Sequence, residues 1–92
     1  MKASPLSYFA EYIGAFLFIF FVFMSHGHPI LIGGALAFVL YLIRDYSHAH
    51  LNPVVSLTMV LNGSMLTSSL AGYILAQLLG GISAYYAYSS LK

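Results

Sequence analysis

There is no cysteine in this chain, which excludes disulfides and thiolate chemistry while leaving the compartment open. Charge is nearly absent too: three basic and two acidic side chains among 92 residues leave a net charge of +1. So few cations cannot build a basic face, and nucleic acid is not an expected partner. The four histidines stand as two pairs, His26/His28 and His48/His50. Pairs at i, i+2 in two separate loops make no zinc motif, so neither a metal nor a cofactor is expected. No serine, histidine and acid arrangement for nucleophilic catalysis stands out, and an enzyme is not expected. What is abundant is apolar side chain, 61% of the sequence, with a mean hydropathy of +0.91. A small soluble domain buries only about 60% of the surface its unfolded chain exposes, too little to hide so much. The composition is that of an integral, multi-pass protein of the lipid bilayer.

The apolar run after Lys2 superficially resembles a signal peptide. Glu11 interrupts it and no convincing small-residue cleavage site follows, so it reads as a retained helix. That helix is expected over Pro5 to Met24, with Ser4 as cap and Pro5 at the first helical position, long enough to cross once. Ser25 to Pro29 form a short polar turn. A second helix, over about 30–46, follows Pro29 and ends near Arg44-Asp45 at the membrane surface, and a third covers about 65–88 with no charge in it. Tyr8, Tyr12, Tyr46, Tyr85, Tyr86 and Tyr88 fall near the expected helix ends, as interfacial aromatics do. Gly72, Ala76, Gly80 and Ala84 repeat every four residues on the third helix. Ala10-Gly14 and Gly33-Ala37 do the same on the first two. Such stripes let membrane helices approach closely and speak for packing, not for activity.

Between the second and third helices the pattern changes. Asn52 is a good N-cap and Pro53 suits the first helical position, where its missing N–H costs nothing. The helix they start runs only to about Leu61, because Asn62-Gly63 is a stop signal. Nine residues at 1.5 Å rise give roughly 13 Å, against a hydrocarbon core of about 30 Å. A helix this short enters the membrane and stops, and such segments are tolerated only where they line a cavity or pack in protein. The expected fold is therefore all-α: three transmembrane helices plus one re-entrant half-helix over 53–61, in a single unit of residues 1–92. The half-helix directs its N-terminal N–H groups and positive dipole end toward the midplane. Asn52 adds an amide donor there, and the non-helical His48-Ala49-His50 leaves carbonyls free to accept. A column of acceptors with a donor at one point suits a small neutral molecule able to do both.

The run Ser47-His48-Ala49-His50-Leu51-Asn52-Pro53-Val54-Val55-Ser56 resembles the Ser-Gly-Ala-His-x-Asn-Pro-Ala-Val-Thr signature of the aquaporin and glycerol-facilitator (major intrinsic protein) family. Glu11-Tyr12-Ile13-Gly14-Ala15 resembles that family's Glu-x-x-Gly-Thr first-helix start. Tyr73 to Gly81 resembles its Tyr-Ile-x-Ala-Gln-x-x-Gly-Ala third helix. The resemblance implies a passive channel for water or small neutral solutes such as glycerol. It makes Asn52 the midplane donor and lines the path with the carbonyls of His48, Ala49 and His50. Glu11 would be buried and brace the loop through its backbone, alongside Pro53, with Gln77 either bracing the loop or linking helices.

The chain departs from the family in carrying one repeat where members carry two in inverted orientation. One repeat cannot enclose a pore, so a second copy or a complementary chain is implied, most simply an antiparallel homodimer. Lys2 and Arg44 fall on one side and Lys92 on the other, a charge bias slight enough to permit both orientations. Ile32 stands where the family's constriction commonly has an aromatic before Gly33, and Val55 where its second repeat has an arginine. Val54 replaces alanine beside the signature asparagine and is expected to narrow the midplane. His48 replaces glycine and adds a titratable group. Two other readings remain: a small ion-leaky, holin-like permeabilising protein, and a non-conducting accessory half that pairs with a partner chain.

Overall fold

The computed structural model describes residues 3–92, so Lys2, counted in the charge bias, lies outside the described residues. Helix α1 spans Pro5–Met24, α2 Pro29–Ile43, α3 Pro53–Leu61 and α4 Leu70–Ser89; a 3₁₀ turn, Thr67–Ser69, leads into α4. No strand occurs among these residues. The long dimension of the bundle is 40 Å, close to a bilayer with its headgroups, about 40–45 Å.

Local chemistry accounts for most of the helix ends. Ser4 Oγ accepts from Ser7 N–H at 3.3 Å while Ser4 N–H donates to Ser7 Oγ at 3.2 Å, a reciprocal cap with Pro5 just inside it. His26 and Gly27 both take left-handed backbone, which makes the reversal between α1 and α2 tight. At the far end of α3, Gly63 N–H donates to Val60 O and Ser64 N–H to Met59 O, with Gly63 at φ +81°. Those two bonds are the paired closure of a helix ending in a left-handed glycine.

Two boundaries differ from the sequence expectation. Helix α2 stops at Ile43 instead of near Tyr46, because Tyr46 and Ser47 N–H both turn back to Ile43 O. Ser47 is then drawn inward to a buried carboxylate described below. The last helix starts at Leu70, not Met65, because Leu66 is extended and the chain first makes its 3₁₀ turn. Two segments, Pro5–Met24 and Thr67–Ser89, are long and apolar enough to cross a membrane, whereas Pro29–Ile43 is a shorter apolar helix of 15 residues.

α1 and α4 form the central seam, with α2 packed on α1 and α3 on α4. Gly80 makes the seam possible: a Cβ there would lie 2.3 Å from Tyr12 O and 2.9 Å from Ala15 Cβ. One turn or two to either side, Gly72 seats the Tyr8 ring, Ala76 and Ala84 are buried, and Tyr12 Oη donates to Ser83 Oγ at 2.9 Å. Tyr8 and Tyr12, expected at the membrane surface, thus belong to the seam, with Tyr8 edge-on to Tyr73. Gly14 accommodates the Ile43 and Leu51 side chains. Gly33, expected at a helix contact, has nothing within 4 Å of a built Cβ, and neither has Gly34. Replacing either by alanine should therefore leave the fold intact and raise its stability by up to about 1 kcal/mol through helix propensity. Thermal unfolding in detergent checks this.

Candidate functional site

The segment joining α2 to α3 is irregular, yet each N–H from His48 to Leu51 has a side-chain acceptor. His48 N–H donates to Tyr73 Oη at 3.0 Å and Ala49 N–H to Ser47 Oγ at 2.9 Å. His50 and Leu51 N–H both reach the Glu11 carboxylate, at 3.2 and 2.9 Å. Glu11 is fully buried, and it accepts two more bonds, from Ser47 Oγ at 2.6 Å and Gln77 Nε2 at 2.9 Å. An extended chain would alternate its N–H groups from side to side. Here Ala49 and Leu51 sit at φ 56° and 57°, and this left-handed backbone turns successive N–H groups into one concave, anion-holding run. Left-handed backbone at alanine and leucine is strained and persists only where its surroundings enforce it. Glu11 is the group that enforces it.

The peptide unit is trans and planar, so an N–H turned toward Glu11 sends the carbonyl of the same unit the opposite way. The carbonyls of Ala49 and His50, whose peptide units present N–H to Glu11, therefore point away from the carboxylate, and the His48 carbonyl points away from Ser47 Oγ. Ala49, His50, Leu51 and Asn52 also line a partly open cavity of about 340 Å³, together with Phe18, Leu36, Leu40 and Val55. Its wall is apolar on α1 and α2 and polar along the loop. Asn52 stands at the junction, exposed, with Oδ1 accepting from Val54 N–H at 2.8 Å. Its amide nitrogen makes no hydrogen bond among the described residues and is available to donate.

The structure thus gathers Ala49, His50, Asn52 and Val55 at one cavity, while Glu11 is buried out of its lining and Gln77 and Pro53 line a separate cavity between α1, α3 and α4. His48, Val54 and Ile32 are not among the lining residues. Val54 is exposed beside the loop, on a different face of α3 from Val55. Gln77 both braces and links: its Nε2 donates to Glu11 on α1 and to Ser56 Oγ on α3, each at 2.9 Å. Its buried Oε1 has no partner among the described residues, a cost accepted for holding those two groups together. Ser56 also meets His50 Nδ1 at 2.8 Å, which fixes the imidazole against α3. Sequence reasoning gave no role to Ser47, Ser56 or Tyr73, and it missed the wall residues Phe18, Leu36 and Leu40.

No family model matches this sequence, and no solved structure matches it. A protein of Lactiplantibacillus plantarum named "Glycerol uptake facilitator protein-like 6" is 32% identical over an alignment that covers 90% of this chain and 42% of that protein. The chain spans about two fifths of the length of the curated relative it matches. The three signature segments named above, the buried Glu11 behind the Asn52 loop and this match agree: the chain is a relative of the aquaporin and glycerol-facilitator (major intrinsic protein) family.

Proposed function

We propose that this chain is one half of a channel for passive permeation of water or small neutral solutes such as glycerol. The other half is supplied by a second copy in antiparallel orientation or by a complementary chain. In this reading α1, α2 and α4 cross the bilayer and α3 is a re-entrant half-helix with Asn52 near the midplane. The observation that carries it is the loop turned inside out. All its N–H groups from His48 to Leu51 are spent on protein, which leaves its carbonyls free to accept, the loop from Ala49 to Asn52 lines a cavity, and one amide donor stands at its end.

A solute passing such a row exchanges water hydrogen bonds for carbonyl and amide ones without a net loss. A bare cation gains the carbonyls but meets the positive end of α3. The apolar wall of Phe18, Leu36, Leu40 and Val55 gives ions no further compensation. The cavity is bounded by α1, α2, the loop and Val55 in the first turn of α3, and in this reading the partner supplies the remaining wall. No step here calls for bond making, and the reading is of a channel and not an enzyme.

Reconstitution of the chain alone in liposomes tests this, with stopped-flow shrinkage in sucrose, glycerol uptake and proton leak followed together. Asn52→Asp keeps a capping oxygen for α3 but removes the amide donor and places an anion on the path. Water or glycerol flux without proton leak, reduced at least tenfold by Asn52→Asp, is expected. Ion or proton leak from the unaltered chain would favour the permeabilising reading instead. A silent chain would point to the accessory half that needs a partner.

A further inference from the structure

The permeation path draws on the backbone of His48 and His50 and gives their paired imidazole rings no role. His48 and His50 bring their rings together with centroids 5.5 Å apart and planes tilted by 38°. The Tyr73 ring closes the third side, 5.9 Å from His48 and 5.3 Å from His50. The buried His50 has its orientation fixed by Ser56 Oγ, 2.8 Å from Nδ1, and that hydroxyl is itself held by Gln77 Nε2 at 2.9 Å. This is the outer support that metal-ligating imidazoles carry, in which a partner on one ring nitrogen sets the tautomer and aims the other. His48 is half-buried, and its backbone is tied down through Tyr73 Oη. Two imidazoles sharing one ion at about 2.0–2.1 Å put their ring centres roughly 5 Å apart, close to the spacing observed here.

We propose that His48 and His50 form a two-imidazole site for a borderline divalent transition-metal ion, with Cu²⁺ held more tightly than Ni²⁺ or Zn²⁺. Among the described residues no third histidine, cysteine or carboxylate joins them. Water completes the coordination, the ion exchanges with solution, and the site regulates instead of holding the fold together. An occupied site ties two residues of the carbonyl row to a dication and slows any solute that uses the row. Acid releases the ion, since imidazole ligates only when neutral. The binding part goes beyond the channel reading and stands without it.

Calorimetry on the detergent-purified, tag-free chain, with Cu²⁺ as titrant and Mg²⁺ as the hard-cation control, tests the site directly. One Cu²⁺ per chain is expected, with an electron paramagnetic resonance spectrum showing two nitrogen ligands and no heat from Mg²⁺. His48→Gly should abolish binding, while Ser56→Ala should weaken it by about 10- to 100-fold through loss of the outer support. The double variant His26→Ala, His28→Ala should bind as the unaltered chain does. Absence of Cu²⁺ binding, or equal binding by His48→Gly with its helical circular dichroism intact, overturns the proposal. So does loss of binding in the His26/His28 variant. In liposomes, Cu²⁺ should slow flux reversibly with a chelator, and His48→Gly should be insensitive. A chain that conducts nothing yet binds Cu²⁺ through His48 defeats the channel reading and leaves this site standing.

Discussion

Replacing Glu11 by glutamine is expected to lower the stability of the chain more than any other isosteric change in it. The carboxylate accepts from Ser47, His50, Leu51 and Gln77 at once, fully buried. An amide in its place keeps one acceptor oxygen and turns an N–H₂ group toward two of those donors. Whichever way it lies, two buried donors lose their partner, at about 1–3 kcal/mol each. A loss of roughly 3 kcal/mol or more is a large part of a typical 5–15 kcal/mol of folding stability. The strained backbone at Ala49 and Leu51 loses its restraint at the same time, so the carbonyl row should disorder even where the helices survive. Thermal unfolding in detergent reads the first effect and solute flux the second. Asp45→Asn, at an exposed carboxylate beyond α2, is the control and should change neither. A Glu11→Gln chain that melts with the unaltered one would contradict this account of the loop.

Gly80→Ala should separate the two central helices. The added Cβ would lie 2.3 Å from Tyr12 O and 3.1 Å from Phe16 N, and backbone atoms cannot swing aside as a side-chain tip can. The helices must part, which weakens the Tyr12–Ser83 hydrogen bond and the stacked contact of Phe23 on Tyr88, now 5.0 Å between centroids. Overpacking of this kind costs about 1–3 kcal/mol for one methyl, and Gly80→Leu should abolish folding. The neighbouring Gly81 is the comparison. A Cβ there meets Ile19 Cγ1 at 3.5 Å, an ordinary contact, so Gly81→Ala should be tolerated. Melting temperatures of the pair in one detergent decide it, and equal values would contradict the close approach.

What could be read from the sequence was what is settled within a few residues. α1 and α3 occupy the ranges dictated by Ser4-Pro5, Asn52-Pro53 and Asn62-Gly63, because caps and left-handed glycines act locally. The end of α2 and the start of α4 were not legible. Ser47 leaves the helix to reach a carboxylate 36 residues earlier in the chain, a pull that no local pattern records. The same holds for the site. Glu11 and Asn52 stood out because a carboxylate and an Asn-Pro pair are rare in apolar sequence. Phe18, Leu36 and Leu40 did not, because a membrane helix is apolar on every face and periodicity cannot separate a cavity wall from a lipid-facing side. Gly33 shows the converse: its spacing from Ala37 suggested a helix contact, and the structure leaves that face uncovered.

The path itself is tested most directly by a thiol placed on it. The chain has no cysteine, so Val55→Cys puts the only thiol on the cavity wall, and Val54→Cys puts it one residue along and outside that wall. With both variants in liposomes and modified by the same small mercurial, water and glycerol flux should stop in Val55→Cys and persist in Val54→Cys. Flux that continues through fully modified Val55→Cys would show that solute does not pass the cavity beside Asn52.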